Sequence, residues 1–342
     1  HNLAITYATT GGAATIDAAK LITLDGLTNG LITVTAAGAI SGTAADLKTV
    51  FAANADTPAA TTQISGIGNN AVTVTGAQLD AADLITINAA TTGLVTHAAT
   101  SILGSYTDII ACYTADEATP PTLAGTLNQA FFVNDSTIAA ADTATLNGKT
   151  TGLVTFTATT LTGEIAPVTT ALTASAAGTA IAGLGAANVT LAQTGGATTV
   201  ANINAIDHLT TGVITATVTD NTAALLKTIG ETGHNLTLSL TDGTVAAADI
   251  TAIDALTTGT FSVTSTTVTG TAAQIIAAYG SSTVTGLGNE AIIVTGGASV
   301  ADVNTIAALS SGAVTATITD GTASALTGIT ESGNNLSLTI SD

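Results

Sequence analysis

The chain has 342 residues and a formal net charge of −19, with four lysines, no arginine and 23 acidic residues. Neutralising phosphate groups requires clustered Lys and Arg, so this composition argues against binding to nucleic acid or to anionic membrane surfaces. No apolar run is long enough to span a bilayer, and membrane insertion is not expected.

Two kinds of strand-plus-helix segment, here called coils, alternate along the chain. One coil begins with a short alternating strand after a Gly/Asn turn, as in NLTLSLTD from Asn235, and continues into an Ala-rich helical pattern ending at TTG, TNG or SSG. The next opens at once with another strand, as in VITATVTD from Val213, and ends at a motif such as GLGNE or ETGHN. Self-similarity of this kind indicates a repeat architecture.

The pattern predicts a single array of two-coil repeats over residues 1–342. Thirteen strands are expected, with starts near residues 3, 31, 71, 94, 130, 153, 189, 213, 236, 260, 291, 313 and 336. Because the connections are long enough to hold a helix, neighbouring strands should be parallel with right-handed crossovers. We therefore predict an α/β repeat solenoid with one long parallel sheet of about 13 short strands, roughly 60 Å long, and helices on one face.

The strands alternate between apolar and hydroxyl side chains. In AVTATIT from Ala313, Val314, Ala316 and Ile318 share one face, and the threonines between them share the other. A sheet covered on both faces would instead show continuous apolar runs. The helical patterns place Ile250, Ile253, Leu256, Ile306 and Leu309 at helical spacing, which predicts that they form the core.

The acidic residues occur where helices begin or strands end. Thr43 lies three residues before Asp46, and Ser299 three before Asp302, a spacing typical of capping boxes. Asp220, Asp242 and Asp320 follow strands in the motifs TDN and TDG, and they are expected to form turns. Calcium is the alternative, but no EF-hand or glycine–aspartate nonapeptide occurs, so we expect no cofactor beyond opportunistic surface calcium.

The histidines and the cysteine form no catalytic pattern. His97 aligns with Val34 and Phe156 on the inward strand face, which predicts a buried core imidazole, and His234 takes the turn position of Asn334. Cys112 is the sole cysteine, so no disulfide can form within the chain, and we expect it to pack as a small buried hydrophobe. No HExxH, CxxC or nucleophile elbow occurs, and we do not predict an enzyme.

The hydroxyl side chains of the strands form the one candidate binding surface. Its members are Thr33, Thr35, Thr73, Thr75, Thr155, Thr157, Thr215, Thr217, Thr237, Ser239, Thr315 and Thr317. Regular T-x-T rows on a flat sheet are a pattern by which some antifreeze proteins face ice, so an ice- or glycan-binding module is the alternative function. Thr also suits any exposed strand, because β-branching fits the pleat and the hydroxyl remains solvated.

Phrases such as VAAADITAIDALTTG from Val245 and SVADVNTIAALSSG from Ser299 recur in style along most of the chain. They resemble the repeat regions of giant extracellular and cell-surface proteins of marine cyanobacteria, a group that includes surface proteins linked to swimming motility. This resemblance implies a secreted, surface-associated, acidic and repetitive polypeptide with a structural or adhesive role.

These observations predict a structural segment of a secreted or cell-surface repetitive protein, forming a fibre, sheath, surface layer or adhesin stalk. The chain opens on His1 inside the repeat pattern, and we interpret it as a mature or excised piece of a longer protein. Because unpaired strand edges recruit further chains, we expect end-to-end self-association through the open sheet edges.

Overall fold

The computed structural model describes residues 3–8, 14–35, 38–55, 64–192 and 196–340. These residues contain 25 strands and 12 helices. The helices are α1 Ala18–Asp25, α2 Ala44–Ala55, α3 Ala81–Ala90, α4 Tyr106–Glu117, α5 Ala140–Lys149, α6 Ile165–Ala177, α7 Val200–Asp207, α8 Ala223–Leu226, α9 Ala247–Asp254, α10 Ala272–Tyr279, α11 Val300–Ala307 and α12 Ala323–Leu326.

The strands are short and recur between the helices. They are β1 Ile5–Ala8, β2 Thr15–Asp17, β3 Ile32–Thr35, β4 Ala39–Thr43, β5 Ile64–Ser65, β6 Ala71–Thr75, β7 Gln78–Asp80, β8 Val95–His97, β9 Ser101–Gly104, β10 Leu123–Ala124, β11 Ala130–Val133, β12 Thr137–Ala139, β13 Val154–Phe156, β14 Thr160–Gly163, β15 Ile181–Ala182, β16 Asn188–Leu191, β17 Ile214–Thr217, β18 Asn235–Leu240, β19 Thr244–Ala246, β20 Phe261–Val263, β21 Thr267–Gly270, β22 Val284–Thr285, β23 Ala291–Ala298, β24 Val314–Ile318 and β25 Asn335–Ser337.

The protein is a mixed α/β structure whose strands pair in parallel, in five separate sheets of three, five, five, seven and five strands. The prediction of one long sheet of about 13 strands was therefore wrong. A strand lies at each of the thirteen predicted positions, but most coils contain more than one strand. The twelve additional strands have two to five residues each, as in β10 with two and β4 with five, and they complete the pairing of the sheets.

Successive strands of the same coil belong to different sheets, and each sheet therefore ends after a few coils. The second sheet runs β10-β8-β6-β4-β2, and its middle strand β6 lies between β4, the second strand of the preceding coil, and β8, the first strand of the following coil. Immediately after β6 the chain forms β7, which begins the third sheet, β15-β13-β11-β9-β7. One sheet thus finishes while the next starts in the same coil.

The chain divides into two compact units. The first comprises His1–Leu161 with Thr170–Gly185, and the second Thr162–Thr169 with Ala186–Asp342. In the first unit α1, α2, α3, α4 and α5 contact one another in consecutive pairs, and in the second unit α8, α9, α10 and α11 do the same. Within each of these two runs, every helix packs against its neighbours in sequence.

The predicted burial pattern is confirmed on the strands and largely on the helices. Val314, Ala316 and Ile318 are buried, whereas the threonines between them are half-buried or exposed. Ile250, Ile253 and Ile306 are fully buried in the core, as expected. The predicted core residues Leu256 and Leu309 are only half-buried, because α9 and α11 end before them.

A repeated contact joins each of six turns at the end of a coil to the backbone at the start of that coil, and we call it the Thr/Ser-x-Gly clasp. In each clasp the hydroxyl of Thr or Ser donates to a backbone carbonyl at or just before the first strand of the coil, and it accepts from the N–H of the glycine two residues later. The six donors and carbonyls are Thr28 to Leu3, Thr91 to Asn70, Thr150 to Gln129, Thr210 to Ala187, Thr257 to Leu236 and Ser310 to Glu290, at 2.6–2.7 Å.

The glycine of each clasp is required by close approach of two backbones. A Cβ on Gly93 would lie 2.1 Å from the Asn70 carbonyl oxygen, and one on Gly212 would lie 2.2 Å from that of Ala187. Backbone atoms cannot move aside as a flexible side chain can. The TTG, TNG and SSG motifs that mark helix ends in the sequence are therefore joints between coils.

We predict that Gly93→Ala destabilises the chain by about 3 kcal/mol, because the added methyl group must push two coils apart. The matched control is Gly148→Ala in α5, where a Cβ would have no neighbour within 4 Å. That substitution should stabilise the chain by about 0.5–1 kcal/mol through helix propensity. Urea unfolding of both variants measures the difference, and equal effects would contradict the role of the clasp.

Candidate functional site

The predicted hydroxyl surface is distributed over all five sheets. Thr33 and Thr35 belong to the first sheet, Thr73 and Thr75 to the second, and Thr155 to the third, with Thr157 directly after its strand. The fourth sheet has four members and the fifth has two; these are Thr215, Thr217, Thr237 and Ser239, and then Thr315 and Thr317. The candidate residues are therefore not brought together in one sheet.

Most of these side chains do face solvent. Those of Thr35, Thr73, Thr75, Thr157, Thr217, Thr237 and Thr317 are exposed. Those of Thr33, Thr155, Thr215, Ser239 and Thr315 are half-buried.

The rows of hydroxyl groups are short. In the fourth sheet Thr215 lies beside Thr190 and Asn235, and Thr217 lies beside Thr237. In the third sheet Thr155 lies between Phe132 and Ala182. In the fifth, Thr315 lies beside Ile293, whose side chain is 41% exposed. Apolar side chains therefore interrupt the surface.

Several hydroxyl groups on these strands bind the neighbouring backbone. Thr157 donates to the Val133 carbonyl at 3.2 Å, and Thr96 donates to that of Val72 at 3.1 Å. Ser262 and Thr285 make the same kind of bond across β18, β20 and β22. A hydroxyl proton used in this way is not available to order water or a sugar.

Aspartates at strand ends cap helices of the preceding coil, a role that the sequence did not reveal. The carboxylates of Asp220, Asp242 and Asp320 accept the first N–H of α7, α8 and α11, at 2.8, 2.7 and 2.6 Å. The expected capping box of Ser299 and Asp302 is also present. These carboxylates therefore join neighbouring coils and stabilise helix N-termini.

Three of the four lysines form ion pairs between consecutive helices. Lys48 of α2 pairs with Asp83 of α3, Lys149 of α5 pairs with Glu117 of α4 at 3.1 Å, and Lys227, after α8, pairs with Asp249 of α9 at 2.7 Å. All are at least a quarter exposed, so each contributes at most about 1 kcal/mol. All three ion pairs join helices of consecutive coils.

A cavity of about 350 Å³ in the second unit is lined by His234 and Asp207, whose side chains are largely buried. His234 Nε2 lies 2.9 Å from Asp207 Oδ1, and His234 Nδ1 accepts the N–H of Ile214 at 3.2 Å. Asn334 accepts the N–H of Val314 in the same way, which confirms the predicted equivalence of the two positions. Both ring nitrogens of His234 are therefore hydrogen-bonded within the protein.

Glu290 is a buried carboxylate that sequence reasoning assigned only to a turn motif. Its Oε2 accepts from the Tyr279 hydroxyl at 2.7 Å and from the Gly288 N–H at 2.8 Å, while its Oε1 has no partner. Burial, followed by the bond to Glu290, raises the pKa of Tyr279. The sequence signal for this residue was an acidic side chain directly after GLGN. Its burial could not be predicted, because it depends on the neighbouring coil.

Cys112 is buried, as predicted, and its thiol lies 3.4 Å from the Ala81 carbonyl. Burial, with smaller effects of Asp108 and Asp80, raises its pKa to about 12, so the reactive thiolate is scarce at neutral pH. Among the described residues, no group of three His, Cys, Asp or Glu side chains could hold a metal ion. No helix within the described ranges is long and apolar enough to cross a membrane.

Neither protein-family models, curated proteins nor solved structures contain a match to this chain.

We predict that Ser265→Ala stabilises the protein by about 1 kcal/mol, because the Ser265 hydroxyl is buried without a hydrogen-bond partner. Its counterparts in other coils are the buried Ala99 and Ala158. The control is Ser262→Ala. The Ser262 hydroxyl donates to the Leu238 carbonyl, so its removal should lower the stability of the protein. Thermal unfolding compares the two, and a less stable Ser265→Ala variant would show that the hydroxyl is satisfied.

The buried His97 predicts a loss of stability in mild acid. Its Nε2 lies 3.3 Å from Thr126 Oγ1 and its Nδ1 has no partner. Burial lowers the pKa of His97 below its ordinary 6.5, against a smaller opposing effect of Asp116. The unfolded chain therefore binds the proton first, so stability is fully present above pH 6.5 and declines as the pH falls through the folded-state pKa.

His97→Phe, which introduces the residue found at the equivalent position 156, should flatten the stability profile between pH 7 and pH 5. The control is His208→Gln, because the His208 side chain is exposed and its replacement should leave the profile unchanged. Urea midpoints across this range measure the effect. An unchanged slope in His97→Phe would mean that another group titrates.

Proposed function

We propose that this chain is a structural segment of a secreted or cell-surface repetitive protein, forming a fibre, sheath, surface layer or adhesin stalk. In this proposal the coils form an α/β solenoid with the helices on one face. The observation that carries the proposal is the Thr/Ser-x-Gly clasp, which recurs at six turns and joins the end of a coil to the backbone at its start.

The polar side chains support this proposal through what they bind. Clasp hydroxyls, strand-end aspartates and interhelical lysines all join one coil to the next, over sequence separations of roughly 20–35 residues. In a solenoid each repeat contacts only its neighbours, so the strength of the whole depends on such joints. A chain whose polar groups are used in this way suits a mechanical role better than a catalytic one.

Composition and resemblance support an extracellular or cell-surface location. The single cysteine is buried, methionine is absent and lysine is scarce, so few side chains are open to oxidation or modification. The net charge of −19 would keep long particles soluble and apart at low ionic strength. The phrases shared with repetitive cyanobacterial surface proteins point in the same direction.

Electron microscopy of the purified chain, at low and then at physiological ionic strength, tests this proposal. We expect filaments or lattices with an axial repeat, favoured by salt because screening weakens the repulsion between acidic copies. Thermal hysteresis and glycan binding should be assayed on the same sample. Separate particles at every concentration, together with ice shaping or glycan binding, would contradict the proposal. They would instead support a binding module that uses the hydroxyl surface.

A further inference from the structure

The amide at the start of a strand is held in an equivalent way in four coils. In each of them the residue two positions after the clasp glycine donates its N–H to a group that comes later in the chain. At Val95 and Val154 the acceptor is a backbone carbonyl, at 2.9 Å in both cases. At Val314 it is the side-chain oxygen of Asn334, at 3.0 Å. Carbonyl and amide oxygens do not titrate, so these three contacts do not respond to pH.

The fourth amide, that of Ile214, has a titratable acceptor. It donates to Nδ1 of His234 at 3.2 Å. A ring nitrogen accepts a hydrogen bond only while it carries no proton, so this contact requires a neutral ring. Histidine is the side chain that ordinarily gains its charge between about pH 8 and pH 5. The start of β17 is thus held by a group that mild acid can change.

The other ring nitrogen fixes the tautomer. His234 Nε2 lies 2.9 Å from Oδ1 of Asp207, and an ionised carboxylate only accepts hydrogen bonds. Nε2 therefore carries the proton of the neutral ring, which leaves the lone pair of Nδ1 available to the Ile214 N–H. The two contacts require the same tautomer.

A second proton can bind the ring only at Nδ1, because Nε2 already carries one. It would point at the Ile214 N–H, so two donors would face each other. Asp207 stabilises a positively charged ring through Nε2, whereas Ile214 can bind only the neutral one. Proton uptake and the Ile214 hydrogen bond therefore exclude each other. By linkage, a falling pH favours the state in which that bond is broken.

The cavity beside the ring provides negative charge and room for movement. The side chains of His234 and Asp207 are 7% and 12% exposed, and they line the cavity of about 350 Å³ together with His208 and Glu231. The carboxylates of Asp207 and Glu231 favour proton uptake by the ring, and the exposed His208 opposes it when charged. Water in this cavity could bind the Ile214 N–H once the ring has turned away.

Charged groups on the adjoining elements are bound to other partners. Asp254 ends α9 of the following coil and accepts from the hydroxyl groups of Ser281 and Thr283. Lys227, directly after α8, pairs with Asp249. The charge acting on the ring therefore comes mainly from the residues that line its cavity.

We propose that His234 is a proton-operated joint of the second unit. At neutral pH its ring holds the first amide of β17; in mild acid it takes a proton on Nδ1, turns toward Asp207 and the cavity, and releases Ile214. The released amide lies where β17 pairs with β18, so this coil loosens while the three coils held by oxygen do not. This regulatory device does not depend on whether the chain forms fibres.

Hydrogen exchange detected by NMR tests this proposal on the full chain. The protection factors of the Ile214 and Val314 amides are compared between pH 7 and pH 5, in a His97→Phe background that removes the acid sensitivity predicted for His97. We expect the protection of Ile214 to fall about tenfold or more, while that of Val314 stays constant. An equal fall at both amides, or no fall at Ile214, would overturn the proposal.

Two substitutions identify the titrating group. His234→Asn introduces the acceptor found at position 334, so it should make the protection of Ile214 independent of pH. The matched control is His208→Gln, which removes the other imidazole of the cavity and should leave the response of Ile214 unchanged. A response that persists in His234→Asn, or that disappears in His208→Gln, would assign the titration to another group and overturn the proposal.

The nitrogen chemical shifts of the His234 ring give a readout that needs no substitution at this site. At pH 7 they should show a proton on Nε2 and none on Nδ1, and at pH 5 a proton on both. The change should follow the loss of Ile214 protection. A proton on Nδ1 at pH 7, or a ring that stays neutral at pH 5, would overturn the proposal even if the His234→Asn variant failed to fold.

Discussion

The structure depends on the close approach of backbone to backbone at the turn between coils. A Thr or Ser hydroxyl at the end of a coil donates to a carbonyl at the start of that coil, and a glycine two residues later leaves room for that carbonyl. Both requirements are local in sequence, yet the contact joins residues about twenty positions apart. The clasp fixes how far one coil advances past the next, and the pairing of the short strands follows from that distance. Most strands have only two to six residues, so the hydrogen bonds between any two strands are too few to fix their register alone.

The same constraint governs what the polar residues of the described ranges bind. Several hydroxyl groups serve the clasps or donate to neighbouring strands, and the strand-end aspartates cap helices one coil away. Even the buried pair of His234 and Asp207 is held by the backbone, because the Ile214 N–H occupies the second ring nitrogen. Groups committed to neighbouring coils are held in place by the repeat geometry.

Much of the local structure was predictable from the pattern of side chains. The inward positions of the strands, the burial of Cys112 and His97, and the capping box at Ser299 all follow from period-two or period-3.6 spacing and from capping chemistry. Twelve further strands of two to five residues were missed, because such short segments carry little alternation of their own. The hydroxyl surface was predicted residue by residue, but its division among five sheets depends on which strands pair.

The sequence by itself determined which side chains face inward, where the helices lie, and which motifs recur, because each of these depends on residues close together in the chain. The tertiary structure alone decided the number of sheets, the capping of one coil's helix by the next coil's aspartate, and the burial of Glu290 beside Tyr279. The physical reason is that parallel ladders are built from backbone groups, which are the same at every residue. Strand partners are therefore chosen by how neighbouring coils fit together, and no short stretch of sequence specifies that fit.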